Sequence, residues 1–263
     1  MPAAKAETGY NKGLQKQRAD RMQVRVLYFG VLKDVVGRRE ERLQLELGSD
    51  VGGLFAVCAG RFPALERHAA SILFSRNREF VSRDESLQEG DEVALLPPVS
   101  GGAPSQTPSQ PEVSRETEQI QSVCRLTQDP INARALAEEL QQGQDGAVVI
   151  FEGVVRNNSG GRATQFLEYE AYEPMALAKM REICDELRAE FPVDRIGMVH
   201  RLGRLEIGEA SVVIVVTSPH RKPAFEACRQ AIDRLKRLVP IWKREYFTDG
   251  AVWVEGETKG GPR

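Results

Sequence analysis

Residues 92–102 read Glu92-Val93-Ala94-Leu95-Leu96-Pro97-Pro98-Val99-Ser100-Gly101-Gly102: an apolar strand, a stiff diproline, then a tail ending in two residues without side chains. Such a tail suits threading into another protein's narrow active site, because glycine lets the backbone approach closely with no Cβ in the way. A tail that does chemistry on its last carboxyl must be the end of a chain. Here Gly102 is followed by Ala103 and the chain runs on to Arg263. Either the two glycines are linker, or two cooperating proteins have been joined in one polypeptide.

Downstream, residues 103–115 hold three prolines with Ser, Thr and Gln and no large apolar side chain but Val113, the composition of an extended, solvated linker. It separates a small domain over 23–102 from a larger one over 116–256, each long enough for its own core. Residues 1–22 are polar and of mixed charge, without the apolar run of a secretory signal, and read as a disordered extension. Residues 257–263 read as a disordered tail. No stretch approaches the roughly 20 apolar residues that span a bilayer, and a net charge of −2 gives no reason to expect general nucleic-acid binding. The four cysteines form no C-x-x-C pair, which argues against a zinc site or a disulfide framework and for a reducing, cytoplasmic setting. Cys58, Cys184 and Cys228 fall within helix-like patterns and read as buried, inert thiols.

The small domain opens with the β-branched and aromatic run Val24–Phe29, and Leu43, Leu45 and Leu47 alternate with polar residues as in a half-buried strand. A helix is predicted over Val51–Arg61, capped by Ser49 or Asp50, with Pro63 beyond its end. Short strands follow at Ile72–Ser75 and Glu79–Val81. The turn Glu89-Gly90-Asp91 leads into the last strand, Glu92–Leu96. This order predicts a β-grasp (ubiquitin-like) fold. In the large domain, Ala133–Gln141 reads as a helix, while Gly146–Val155 and Gln165–Tyr172 read as strands. Pro174 suits the first turn of a helix that buries Met180, Ile183 and Leu187. Val212–Thr217 is a nearly unbroken apolar strand. A second helix starts near Pro223, buries Ala224, Cys228 and Leu235, and ends before Pro240. A hairpin, Ile241–Phe247 and Ala251–Val254, closes the domain. The class is α+β throughout, a β-grasp domain joined by a Pro/Ser/Gln linker to a larger α+β domain.

The segment from His220 to Glu245 carries eight Lys or Arg against three acidic residues. For Arg229, Arg234 and Arg237 a solvated helix face is the simpler reading. Lys236, in the last helical turn, and Lys243, on the strand that folds back after Pro240, could meet in one pocket. His220-Arg221 lies between the buried strand and the helix, where backbone donors and a guanidinium make a phosphate site. Arg156 ends a strand ahead of Asn157-Asn158-Ser159-Gly160-Gly161, placed as a loop-rim contact. The assembled site would take a small phosphorylated anion without a metal. Cations crowded in a partly desolvated pocket favour the neutral amine, which can serve as base or nucleophile.

Together these residues resemble the two subunits of molybdopterin synthase joined in one chain. Gly90-Asp91-Glu92-Val93 … Pro97-Pro98-Val99-Ser100-Gly101-Gly102 is similar to the sulfur-carrier small subunit (MoaD-like). Four stretches are similar to the catalytic large subunit (MoaE-like): Asp145–Val148 with Phe151–Arg156, Leu167–Tyr172, His200–Gly203, and Thr217–Arg221 through Pro240–Glu245. The resemblance implies a sulfur carried as a thiocarboxylate on Gly102 and transferred twice to cyclic pyranopterin monophosphate, making the dithiolene of molybdopterin, with no permanently bound cofactor. It implies Lys236 and Lys243 as catalytic residues, with Arg156, His220 and Arg221 binding substrate and Phe151 beside them. Glu245, Arg244 and Gly101 would support the site. It also implies a homodimer through the large domain with carrier domains docked, an adenylating (MoeB-like) activating enzyme, and a sulfur donor such as a cysteine desulfurase or rhodanese. An amide between Gly102 and Ala103 can be neither adenylated nor converted to a thioacid, so cleavage after Gly102 is expected.

Two other readings fit parts of the chain. One is a non-enzymatic ubiquitin-like adaptor fused to a regulatory domain. The other is a single-strand nucleic-acid binder stacking bases on Trp242, Tyr246 and Phe247.

Overall fold

A computed structural model describes residues 21–99 and 122–254. Gly101, Gly102, the expected linker over 103–115 and the expected tail over 257–263 lie outside the described residues. Contacts divide the chain into two compact units, Met1–Pro97 and Pro98–Arg263.

In the first unit, β1 (Arg21–Tyr28), β2 (Glu40–Glu46), β3 (Leu73–Arg76), β4 (Glu79–Val81) and β5 (Glu92–Leu96) form one sheet in the order β2-β1-β5-β3-β4. β5 is central and runs parallel to β1, so it needs a crossover, and the helix α2 (Val51–Arg61) packs Leu54, Phe55 and Cys58 on the sheet. Asp50 caps α2, its carboxylate accepting from the Gly53 amide at 2.7 Å, while Ser49 instead turns back to the Glu46 carbonyl. Pro63 does more than stop the helix; it opens a 3-10 turn over Pro63–His68. A seven-residue helix α1 (Gly30–Val36) was not anticipated. β1 begins at Arg21, which corrects the extension predicted over 1–22. Met22 is 1% exposed and pairs with Leu45 in the core. Leu47 lies past the end of β2 and is exposed.

The start of β5 is pinned by side-chain bonds. Asn77, in a left-handed turn with φ 51°, donates to the Asp91 carboxylate at 2.7 Å and accepts from the Glu92 amide at 3.0 Å. Val93 to Leu96 are then wholly buried. The strand that leads toward the double glycine is therefore central, buried and anchored at its start.

The second unit holds a four-stranded sheet in the order β6-β10-β12-β7: β6 (Val123–Thr127), β10 (Arg195–Arg201), β12 (Ala210–Ser218) and β7 (Ala147–Val154). The middle of β12, Val212–Val216, is unbroken apolar because both its faces are covered. Val212, Ile214 and Val216 face the helices α4 (Glu173–Glu190) and α5 (Arg221–Leu238), whereas Val213 and Val215 face α3 (Ala133–Leu140). A second sheet runs β11-β9-β13-β14, with β11 (Gly203–Glu206), β9 (Arg162–Ala171), β13 (Ile241–Phe247) and β14 (Gly250–Val254), and the two-residue β8 (Asn158–Ser159) on β9. Pro174 sits in the first turn of α4 as expected.

Arg234 departs from the solvated-face reading. Its side chain is 14% exposed and bridges Glu186 at 2.8 Å and Glu190 at 2.5 Å, tying α5 to α4. Trp242 is 2% exposed and Phe247 is 8% exposed, and Tyr246 stacks on Phe166 at 4.2 Å. Trp242 and Phe247 are committed to the core and half-buried Tyr246 is already stacked on Phe166, which argues against base stacking by the three rings. Among the described residues no helix is long and apolar enough to cross a membrane, and no group of three His, Cys, Asp or Glu could hold a metal ion.

Candidate functional site

A β-bulge organises the candidate site. β12 pairs with β7 so that Ala210 faces Val154 and Val212 faces Gly153, leaving Ser211 as the extra residue. Bulges re-aim side chains and are common beside active sites. Here the Ser211 hydroxyl donates to the Gly153 carbonyl at 2.9 Å and also hydrogen-bonds the Tyr169 phenol. Gly153 is required: a Cβ there would stand 2.7 Å from Val212 Cγ1.

Tyr169 on β9 pairs with Lys243 on β13, and its phenol lies within electrostatic reach of Lys243 and Glu245. Burial pushes that phenol above its ordinary value, Ser211 and the Lys243 charge opposing. The Lys243 ammonium binds the Glu245 carboxylate at 2.7 Å, with side chains 22% and 5% exposed. The two alternate positions of β13 thus face one spot, with the carboxylate buried and the amine reaching toward solvent. Behind Tyr169, the His200 ring meets it edge-on at 5.0 Å. His200 is buried, its Nδ1–H donating to the Arg201 carbonyl at 2.9 Å, and burial pushes its pKa down to about 4, so the ring is neutral.

Phe151 lies on β7 two residues from Gly153 and packs beneath α5. Arg156 is exposed just beyond β7, after the buried Val155, whose amide and carbonyl are both held by the turn at Gly208-Glu209. Lys236 is exposed in the last turn of α5, and Arg244 rests between the Tyr246 and Trp253 rings at 5.4 and 5.6 Å.

His220 and Arg221 stand elsewhere. His220 is the N-cap of α5, its amide donating to Ser218 Oγ at 3.3 Å, and Gly146 packs so close that a Cβ would lie 2.4 Å from the Pro219 carbonyl oxygen. Because α5 follows β12 after two residues, it must run back along it. β7 is antiparallel to β12, with Ala147 opposite Ser218 and Val154 opposite Ala210. Arg156 therefore lies toward the end where α5 finishes, and His220-Arg221 lies at the other. From Arg221 to Lys236 is 15 residues of helix, about 22 Å at 1.5 Å per residue. One copy of the chain does not bring the phosphate-site residues and Lys236 into a single pocket, which corrects the expectation of one assembled site.

Tyr169, Ser211 and His200 were not singled out for the site. Tyr169 and His200 sit inside motif stretches; Tyr169 reads there as an ordinary strand position, and His200 falls where no element is predicted. Ser211 carries no sequence signal, since a bulge exists only in the pairing of two strands.

Residues 126–238 match the MoaE protein family, and residues 26–102 match the ThiS family. The molybdopterin synthase catalytic subunit of Bacillus subtilis (strain 168) is 44% identical over 129 residues, covering 49% of this chain and 82% of that protein. Molybdopterin synthase catalytic subunit 1 of Aedes aegypti is 47% identical over 137 residues, covering 51% of this chain and 88% of that protein. Among solved structures, molybdopterin synthase from Staphylococcus aureus is 43% identical, covering 49% of this chain and 93% of that one, with a TM-score of 0.47. With four-fifths or more of each curated relative matched at such identity, the chain belongs to the molybdopterin synthase catalytic subunit family and carries a ThiS-family domain ahead of it in the same polypeptide.

Proposed function

We propose that this chain, a molybdopterin synthase of molybdenum cofactor biosynthesis, moves two sulfur atoms in succession from a thiocarboxylate on Gly102 to cyclic pyranopterin monophosphate, completing the dithiolene of molybdopterin. The reading rests on family membership together with one observation: the Lys243 ammonium held at 2.7 Å by a buried Glu245, beside the Tyr169–Ser211 pair at the bulge. Each delivery makes one carbon–sulfur bond on the pterin in place of a carbon–oxygen bond, whose oxygen departs as water or with the phosphate. It ends when water cleaves the acyl–sulfur bond and returns a free glycine carboxylate. An ammonium at the reacting centre steadies the anionic thiocarboxylate and the oxyanion formed on its carbonyl, and supplies a proton where one is needed. Lys243 is already oriented for this by Glu245; Lys236 adds a second positive charge.

His220, Arg221 and the first backbone amides of α5 would hold the substrate phosphate. A pterin monophosphate is much shorter than the helix separating them from Lys236. The complete site is therefore assembled from two copies of the catalytic unit, one lending His220-Arg221 and the other the lysines.

Gly101-Gly102 would enter the site from beyond the end of the buried β5. The six residues from Pro97 span at most about 20 Å. Cleavage after Gly102 frees the carboxyl for adenylation by an activating enzyme and loading by a persulfide donor. Intact-mass measurement of the protein from its native host tests this, with two associated fragments expected; a single full-length species with normal activity would refute it. For the chemistry, protein ending at Gly102 as a thiocarboxylate is combined with the catalytic unit and cyclic pyranopterin monophosphate. Lys236→Ala and Lys243→Ala should each abolish dithiolene formation, and unchanged turnover in either would refute that lysine's role. A non-enzymatic adaptor would lose only partner binding in the same variants.

A further inference from the structure

All four cysteines are free thiols, but they are not alike. Cys58 accepts a hydrogen bond from the Tyr28 phenol at 3.3 Å, and Cys228 is buried among apolar side chains of α5 and the sheet. Cys124 and Cys184, 60 residues apart in sequence, place their sulfurs 3.7 Å from each other. Cys124 lies on β6, an edge strand of the four-stranded sheet, and is half-buried. Cys184 lies on α4 and is 0% exposed.

We propose that Cys124 and Cys184 form a dithiol modification site for low-molecular-weight disulfides of the glutathione class, which close a reversible disulfide between β6 and α4. The two thiols have different roles. Either thiol can donate in the neutral pair, but once Cys124 ionises the S–H of Cys184 is the donor; that bond and the charge of Arg181 hold the Cys124 thiol below its ordinary range, whereas the same bond and burial hold Cys184 above it. The more accessible thiol is thus the more readily ionised one, the condition for an attacking thiolate. The buried one is placed to resolve.

In the first step the Cys124 thiolate attacks one sulfur of the small disulfide. A mixed disulfide forms, and a small thiolate leaves and takes up the proton that Cys124 released. Cys184 then gives up its proton and attacks the Cys124 sulfur. The protein disulfide forms and the second small thiol departs. Two electrons pass from the protein thiols to the small disulfide, which becomes two thiols. The sulfurs must close from 3.7 Å to about 2.05 Å, a rotamer-scale shift across an edge strand and the helix packed on it.

The full chain is incubated in oxidised and reduced glutathione, acid-quenched, alkylated after unfolding and digested without reductant. The expected product is one cross-linked peptide pair joining Cys124 to Cys184, lighter by two hydrogens and reversed by dithiothreitol, with two of the four thiols lost to alkylation. Cys184→Ala should halt at a stable glutathione adduct on Cys124, and Cys124→Ala should leave Cys184 unmodified. Should Cys184→Ala fail to fold, the wild-type map still decides. A cross-link involving Cys58 or Cys228, a Cys124 adduct that persists in the wild type, or no linkage at any glutathione ratio would each overturn the proposal.

Discussion

At the level of single residues, Glu245 governs Lys243. A carboxylate that is 4% exposed and bound to an ammonium at 2.7 Å fixes where that amine points. Glu245→Gln keeps the shape and removes the charge, so Lys243 should lose its orientation more than its place. The expected result in a steady-state assay is a roughly tenfold fall in kcat with KM little changed, equivalent to about 1.4 kcal/mol of lost positioning. An unchanged kcat would separate Glu245 from the chemistry. His200 makes a second prediction through its protons. Its folded pKa is depressed to about 4, so between there and the ordinary value near 6.5 the unfolded chain binds a proton that the native ring refuses. The stability it preserves is fully present above about pH 6.5 and is lost as pH falls toward 4, by up to about 3 kcal/mol. Urea midpoints measured from pH 7 to 4 should fall less steeply for His200→Leu than for the wild type. An equal slope would mean that His200 takes up its proton in the native state.

Among the elements, the join of β12 to α5 carries His220-Arg221, the proposed phosphate site, and Gly146 just ahead of β7 is packed against it. A Cβ at Gly146 would lie 2.4 Å from the Pro219 carbonyl oxygen, a backbone atom that cannot swing away as a side chain can. Gly146→Ala should therefore displace the His220-Arg221 turn. Chemical denaturation should show a loss of roughly 1–3 kcal/mol, the usual cost of overpacking, and KM for the pterin should rise. Unaltered KM would mean that the turn does not hold substrate. Gly146 stands in a stretch that was legible as a family motif, but its physical reason is a contact with a residue 73 positions away. The strongly periodic elements were readable for the opposite reason. Ala224, Cys228 and Leu235 on α5, and the twice-covered β12, record their burial in local spacing. β10 did not, because its polar His200 and Arg201 are buried and its Gly197 makes room for Leu140, 2.6 Å from where a Cβ would be. Nor did Cys124 and Cys184 announce their meeting, which depends on α4 crossing β6. The one error that sequence could have prevented concerns α5. Reading a helix from Pro223 to Pro240 already implies that His220 and Lys236 stand at its two ends.

For the molecule as a whole, that same helix is the ground for the proposed two-copy site. About 22 Å of α5 separates Arg221 from Lys236. Symmetric pairing then has a measurable consequence. One variant carries His220→Ala with Arg221→Ala, and a second carries Lys236→Ala with Lys243→Ala; each alone should be inactive in the sulfur-transfer assay. In a mixed twofold dimer both lesions fall in one site, and the other site receives an intact phosphate pair from one copy and intact lysines from the other. If subunits pair at random, half the dimers are mixed and each has one working site of two, so co-expression should restore about a quarter of wild-type turnover. A site confined within a single copy would recover nothing, because every copy then carries a lesion of its own. Two affinity tags purified in series establish that mixed dimers are present, so silence from that fraction would refute the shared site rather than reflect failed pairing. Recovery would also explain why the fold tolerates placing two halves of one chemistry at opposite ends of an 18-residue helix: in the proposed pair, twofold symmetry would bring the far end of one helix to the near end of another.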